Sequence, residues 1–382
     1  MTRSEDMDIE LIDVRCSLAQ CYSRLNFFVD LKETLDPVIK LAEDYDYKRG
    51  LSRVYSHLGS CFYYIELDLD SALEYLDKAI KLSSETKDFR IIGLSFHWYG
   101  LNLACDCQFD EAINYLKRIH DIPGIHPGSV AMSTAAYSAW AYCFSGKVNL
   151  GYQKCKEAKR IVDDLDDMSL KSFVYTGYGY CCFTKGFLEE SITYLLEALS
   201  FDEKINSFWF AAQNGILLGD IFFQKGVYEK SLFYYIKSHE YFEMVRANPS
   251  FLLISTLGIA RAKTMMNERD IDVDILMRKS HEYNFPISHG VVQRNIGEIL
   301  LNTGEHRRSN AEEWINKAIE TDSKNGTRFS LGLDYSLYAE LHKRKGDQRK
   351  TKESLNKAIE IFKECGADGW VKKYEKELAA IT

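Results

Sequence analysis

Along this chain, small and bulky apolar positions recur at spacings of three and four between polar ones, the pattern of a helix that buries one face. The stretch from Ser172 to Ser200 shows it most plainly, with Gly179, Cys182, Gly186, Leu188, Ser191, Leu195 and Ala198 in order. Small residues stand where two helix backbones must approach closely, Gly186 falls where the chain must turn, and the bulky residues fill the space between. That predicts a helical hairpin. A lone hairpin cannot bury its apolar face, so the pattern calls for stacked neighbours.

The neighbours are present in the sequence. A small residue inside the first helix returns as Ala19, Gly59, Gly100, Ala139, Gly179, Gly219, Ala260, Gly297 and Ala339. The residue opening the packing face of the second helix returns as Leu31, Ala72, Ala112, Gly151, Ser191, Ser231, Asp272, Ala311 and Thr351, in steps of 39 to 41 residues. Each second helix then offers an apolar residue four positions on, and usually a small one three later, as in Ala72, Leu76 and Ala79. Gly146, Gly186, Gly226, Gly304 and Gly346 are placed to end helices in a left-handed conformation. The spacing predicts about nine hairpins over 9–45, 50–85, 91–121, 129–165, 170–203, 208–246, 250–284, 288–322 and 328–364, with a capping helix over 370–380. Helical period overrides the strand propensity of the many Tyr and Phe residues.

Departures mark expected weak points. Pro37 falls inside a second helix, where it should kink or restart it. Asp272 replaces a small apolar residue and makes the unit from Pro249 to about Asn284 the poorest match. Pro123 and Pro127 lie in a long connection, and Pro286 marks another break; a hinge would be placed at these joints. Asp163, Asp164, Asp166 and Asp167 crowd a helix end, where negative charge opposes the helix dipole and favours fraying.

With 46% hydrophobic and 27% charged residues, the 382-residue chain is long enough for a large core, and five prolines without a Ser/Gly linker favour one uninterrupted array over 1–382. The net charge of −8 disfavours direct nucleic-acid binding. No stretch approaches 18 consecutive apolar residues and the polar start lacks a signal core, so a cytoplasmic protein without membrane contact is expected. Ten cysteines then read as reduced thiols. Neither Cys105 with Cys107 nor Cys181 with Cys182 has zinc-knuckle spacing, and His120 with His126 lacks a third ligand, so no metal is expected. There is no phosphate loop, nucleophile elbow or His-Glu-x-x-His pair; neither catalysis nor a cofactor is expected.

The residues of the repeat resemble the tetratricopeptide repeat over nearly the whole chain, best at 172–200, 208–235, 96–119 and 336–358. The period is nearer 40 than that family's usual 34, which is similar to the long-repeat sensor arrays of bacterial signalling ATPases, nucleotide cyclases and maltose-regulator-type activators. The ending Ala358 to Trp370 with the helix after it looks like the terminus of such an array. The resemblance implies an all-α fold, a right-handed α-solenoid whose first helices line a concave groove.

Projecting the first-helix faces onto that groove selects Arg53, Tyr63, His97, Leu101, Trp140, Phe144, Phe173, Tyr180, Phe183 and Asp220, aromatic at the centre and polar beyond, where Arg261, Arg294, Glu298 and Glu340 follow. Aromatic side chains give large contact area at low entropy cost, which suits a peptide, a protein or a small effector. The same rings at helical spacing also fit simple core packing in a tightly wound coil, and a lone helical His is more often structural than ligand-facing. The expected function is a non-enzymatic binding scaffold within a larger signalling or regulatory protein. The alternative is a structural or oligomerising spacer for attached domains, with self-association left open.

Overall fold

Nineteen α-helices follow one another in the computed structural model, which describes residues 5–268, 271–281, 283, 285–304 and 307–381; no strand occurs among them. Eighteen helices form nine antiparallel hairpins: α1 and α2 (Glu5–Leu25, Phe28–Asp44), α3 and α4 (Lys48–Glu66, Leu69–Thr86), α5 and α6 (Phe89–Cys105, Phe109–Arg118), α7 and α8 (Pro127–Ala136, Val148–Asp163), α9 and α10 (Met168–Lys185, Leu188–Ile205). The series continues with α11 and α12 (Phe208–Gln224, Tyr228–Met244), α13 and α14 (Pro249–Met265, Val273–His281), α15 and α16 (Pro286–Thr303, Arg308–Asn325), and α17 and α18 (Arg328–Arg344, Gln348–Cys365). A last helix, α19 (Asp368–Ala379), packs on α18. None of the described helices is long and apolar enough to cross a membrane.

The small residues act where the two helices of a hairpin cross. A Cβ on Gly59 would lie 2.8 Å from the Ala72 carbonyl oxygen, and one on Gly179 would lie 2.6 Å from Leu195 Cγ. Ser191 and Ser231 bury their hydroxyls and donate them to the Gly179 and Gly219 carbonyls at 2.6 and 2.8 Å. Such a hydroxyl satisfies itself within the crossing and permits the close approach that a larger side chain would prevent.

Several joints differ from the sequence expectation. Pro37 does not break α2, which runs through it; Pro37 is on the exposed side, where water can satisfy the carbonyl its ring leaves unpaired. Asp272 is not a packing residue: α14 has only 9 residues and starts after it, and Asp272 Oδ1 accepts the Ile275 N–H at 3.0 Å as a cap. Asn284, where that unit was expected to end, lies outside the described residues. Gly304 has φ 150° and ψ 159°, open to glycine but not left-handed helical, whereas the other four turn glycines have φ between 72° and 86°. The aspartate cluster is not idle: Asp163 accepts from Lys159 at 2.7 Å and Tyr175 at 2.8 Å, and Asp167 caps α9 through the Leu170 N–H.

The coil closes on itself. Asn248 Nδ2 donates to the Ile65 carbonyl at 2.9 Å across 183 residues, and Trp370 Nε1 to the Phe183 carbonyl at 2.8 Å across 187. With a period near 40, each superhelical turn takes between four and five hairpins, and successive turns touch. At Gly186, with φ +84°, an added Cβ would sit 2.6 Å from Gly369 Cα, so the two turns meet backbone against backbone. Lys185 Nζ fixes the same seam by donating to the Gly366 carbonyl at 2.7 Å and pairing with Asp368 at 2.6 Å. Nearer the start, Arg246 reaches Asp30 and Glu33 at 2.7 and 3.0 Å. This tight winding turns an open groove into an inner chamber.

Candidate functional site: a two-faced inner chamber

The chamber encloses a cavity of about 410 Å³, within the range of ligand sites. One register supplies a continuous row of its wall. The residue directly after the small anchor of each first helix is, from the third hairpin onward, Leu101, Trp140, Tyr180, Asp220, Arg261, Glu298 and Glu340, and all seven line the cavity. The geometry follows from the hairpin: the anchor faces the second helix, so its successor is turned about a quarter-circle toward the inside of the coil.

The first part of the row is aromatic. Tyr180 stacks on Phe144 with ring centroids 5.1 Å apart, Trp140 lies 5.4 Å from Phe173, and Phe173 meets Phe210 edge-on at 5.3 Å. Phe28, Tyr64, Trp98, Trp209 and Phe251 continue the wall where the two superhelical turns meet, with Phe28 edge-on to Trp209 at 5.0 Å. Trp140 is on a π-helical stretch, Tyr137–Cys143, that continues α7; such turns are enriched at functional sites.

The second part is ionic. Arg261 is 6% exposed and bridges Asp220 at 3.0 Å and Glu298 at 2.8 Å, with its guanidinium 4.2 Å from the Phe223 ring centre. Burial works against its charge, but Glu298, Tyr235 and Asp220 more than offset this and raise its pKa. Behind it Arg294 donates to Asp334 at 2.9 Å and stands 3.9 Å from Asp322. Both aspartates are fully buried, and one cation cannot neutralise two carboxylates. Burial raises both carboxyl pKa values, and the neighbouring Asp322 raises that of Asp334 further, against the lowering effect of Arg294.

Three buried polar atoms on lining residues have no hydrogen-bond partner among the described residues: Trp98 Nε1, Thr176 Oγ1 and Asn295 Oδ1. Buried polar groups are nearly always paired, and an unmet one costs about 1–3 kcal/mol.

Of the residues projected from sequence, Leu101, Trp140, Phe144, Phe173, Tyr180, Phe183 and Asp220 line the cavity. Arg53 does not; it pairs with Asp13 at 3.0 Å and donates to Ser17 at 3.1 Å, tying α3 to α1. Tyr63 is 2% exposed and stacks on Phe285 at 5.5 Å in the seam between turns. His97 is buried against Trp98 and Phe173, each 5.6 Å away, and burial pushes its pKa down to about 4, so it is neutral at pH 7. Thr176, Asn295, Trp209 and Phe210 were not projected, although Thr176 and Arg294 share the position three before the anchor and Phe173 the position six before. Lys373 and Tyr374 line the cavity from α19, where no repeat register points to them.

No group of three His, Cys, Asp or Glu residues placed to hold a metal ion occurs among the described residues. Neither a protein-family profile nor a curated protein sequence matches the chain. Solved structures do. A Rap protein complexed with competence and sporulation factor superposes with a TM-score of 0.54 at 11% identity, over 98% of this chain and 100% of that one. The Rap conjugation gene regulator of the plasmid pLS20, in complex with the Phr* peptide, gives a TM-score of 0.58 at 13% identity, over 91% and 96% of the two chains. At such identities the likeness concerns the fold, and together with the hairpin geometry it makes this chain an all-α, tetratricopeptide-like solenoid.

Proposed function

We propose that the chamber captures a short peptide carrying bulky apolar side chains, and that the array is a non-enzymatic recognition scaffold of a signalling or regulatory protein. The observation that carries this reading is the aromatic arc continued, in one cavity and one register, by the ionic row of Asp220, Arg261, Glu298 and Glu340. A hydrocarbon would fill the arc but desolvate the half-buried carboxylates of the ionic row without pairing them. A peptide supplies side chains to the rings and main-chain N–H groups to the carboxylates of Asp220 and Glu340, whose side chains are 28% and 34% exposed. That two solenoids of similar fold are complexes with a factor and with a peptide supports the same choice.

The test is selection of short random peptides on the full chain, followed by titration of the selected peptides against Trp140→Ala, Tyr180→Ala and the double variant. Both side chains are only half-buried, so their loss leaves the helices intact by circular dichroism. Phe183 is a poorer choice because it is 6% exposed and packs edge-on to Trp370 at 5.6 Å, so its truncation also opens the seam. Binding at least tenfold weaker in the double variant, about 1.4 kcal/mol, is expected. Selected peptides that bind the double variant unchanged would rule the chamber out.

A further inference from the structure

We propose that this chain pairs with a second copy of itself through the outer face of α1, in an antiparallel helix pair. Met7, Leu11, Val14, Leu18, Cys21 and Leu25 follow one another on α1 at spacings of four, three, four, three and four. That is the seam spacing of a coiled coil, not the broader stripe of a helix set against a globular core. The core-facing side of α1 is Ile12, Cys16 and Ala19, each fully buried, and of the seam residues Leu11 is half-buried against that core. On the seam side Met7, Val14 and Leu18 are 56, 59 and 46% exposed. The outer face of α12 gives the contrast: Phe233 and Ile236 are exposed there too, but Glu240 interrupts the row before Met244. Scattered exposed apolar residues need no explanation, whereas an unbroken seam over five helical turns does.

Charge selects the occupant and its direction. Asp8 is buried and accepts from Tyr45, and Asp13 pairs with Arg53, so the charges left beside the seam are acidic at the start of α1, with Glu10, and basic at its end, with Arg24. A parallel copy would set Glu10 beside the partner's Arg15, which is already committed to the Thr34 carbonyl of its own protomer. An antiparallel copy sets acid against base and also opposes the two helix dipoles favourably. In the register that fills every layer, Met7 meets the partner's Leu25, Leu11 the partner's Cys21, and Val14 the partner's Leu18. The flanking position then places Glu10 beside the partner's Arg24, twice by symmetry. Arg24 is available for this: its side chain is 66% exposed and reaches Asp167 only at 3.7 Å. Arg15 approaches its own mate in this register, but it already donates to the Thr34 carbonyl at 2.9 Å and is held to its own protomer.

Sedimentation equilibrium of the full chain over a concentration series decides it. The expected result is a mass rising from 44.1 kDa toward twice that value. Val14→Glu and Leu18→Glu, both at exposed sites, are expected to remain monomeric with an unchanged helical spectrum. Glu10→Arg and Arg24→Glu each weaken the dimer several-fold, and the double swap restores it. Direction is read by Leu11→Cys, which with Cys21 of the other copy forms a covalent dimer when oxidised glutathione is added, while the wild-type chain does not crosslink through Cys21. A wild-type chain that is monomeric up to roughly 100 µM overturns the proposal. So does a dimer indifferent to Val14→Glu and Leu18→Glu, which would point to another face or another occupant of this one. Cys21 crosslinking in the wild-type chain would overturn the antiparallel arrangement. Since the α1 seam lies outside the chamber, peptide capture is unchanged in all these variants, and the two readings fail separately.

Discussion

The chamber wall changes character between the fifth and sixth hairpins while its geometry does not. Leu101, Trp140 and Tyr180 occupy the same register as Asp220, Arg261, Glu298 and Glu340, one residue after the small anchor, and both groups face the same cavity. The anchors and their partners on the second helices therefore set where the wall is, and the residue after the anchor sets only what it is made of. The two arcs differ in how their parts depend on one another. Rings in the aromatic arc are satisfied by any apolar neighbour, so losing one costs its own contacts. In the ionic arc Arg261 serves two carboxylates, so its loss strands both.

Arg261→Met is accordingly the substitution expected to do most harm. It retains much of the side-chain length but leaves Asp220 and Glu298 without their cation in a buried setting, a situation that costs about 3–5 kcal/mol. Urea denaturation should show the midpoint falling with little change in slope. Adding Asp220→Asn and Glu298→Gln to Arg261→Met should recover a large part of the loss. Failure to recover would mean that Arg261 acts by packing on Phe223 and not by charge.

The seam that joins the arcs comes next. Trp370→Phe keeps a ring against Phe329 and Phe362 but deletes the donor to the Phe183 carbonyl, which links α19 to the aromatic arc. The Phe183 carbonyl keeps the Gly186 N–H at 2.9 Å, so the expected loss is that of one hydrogen bond, about 0.5–1.5 kcal/mol. Amide hydrogen exchange should show it as faster opening in α19 and the end of α9, with the first two hairpins unaffected. Within the aromatic arc, Phe144→Leu should destabilise by only about 1 kcal/mol, because the Tyr180 stack is lost but the volume is largely kept. A loss as large as that of Arg261→Met would erase the distinction between the arcs.

The sequence carried the repeat because close helix crossings leave a signature that no other structure requires: Gly59, Gly100, Gly179, Gly219 and Gly297 recur where a Cβ would meet the second helix. It carried the inner register for the same reason, which is why Trp140, Tyr180 and Asp220 were found. Turns were only half legible. Glycine marks Gly146 or Gly186, but Leu67, Lys87, Cys107 and Arg246 take positive φ of 50–65° with no residue preference to announce them. The neighbouring hairpins over-determine the turn there, and tertiary packing bears the strain. Contacts between superhelical turns were not legible. Tyr63 falls at a groove register but is capped by Phe285, and Lys373 enters the chamber from a terminal helix, because both depend on a closure set by the accumulated rotation of several hairpins. No local spacing encodes that sum.

A pH-dependent effect lies at the junction of the two arcs. Asp202, on α10, is fully buried, accepts hydrogen bonds from Ser172 and from Asn214 Nδ2 at 2.8 Å, and pairs with no cation among the described residues. Asp322, three hairpins later in the same register, has Arg294 at 3.9 Å. Burial lifts the Asp202 carboxyl to about 8, against about 4 in an unfolded chain. The folded state thus holds this proton more tightly than the unfolded one. Its contribution to stability is fully present below about pH 4 and is lost progressively as the pH rises through about 8. The melting temperature should therefore decline between pH 5 and pH 9, and Asp202→Asn, which cannot ionise, should flatten that decline by a few degrees. A steeper decline in the variant, or a wild-type chain that gains stability over this range together with an unaltered variant, would mean that Asp202 is ionised in the fold and that a neutral junction between the arcs is the wrong description.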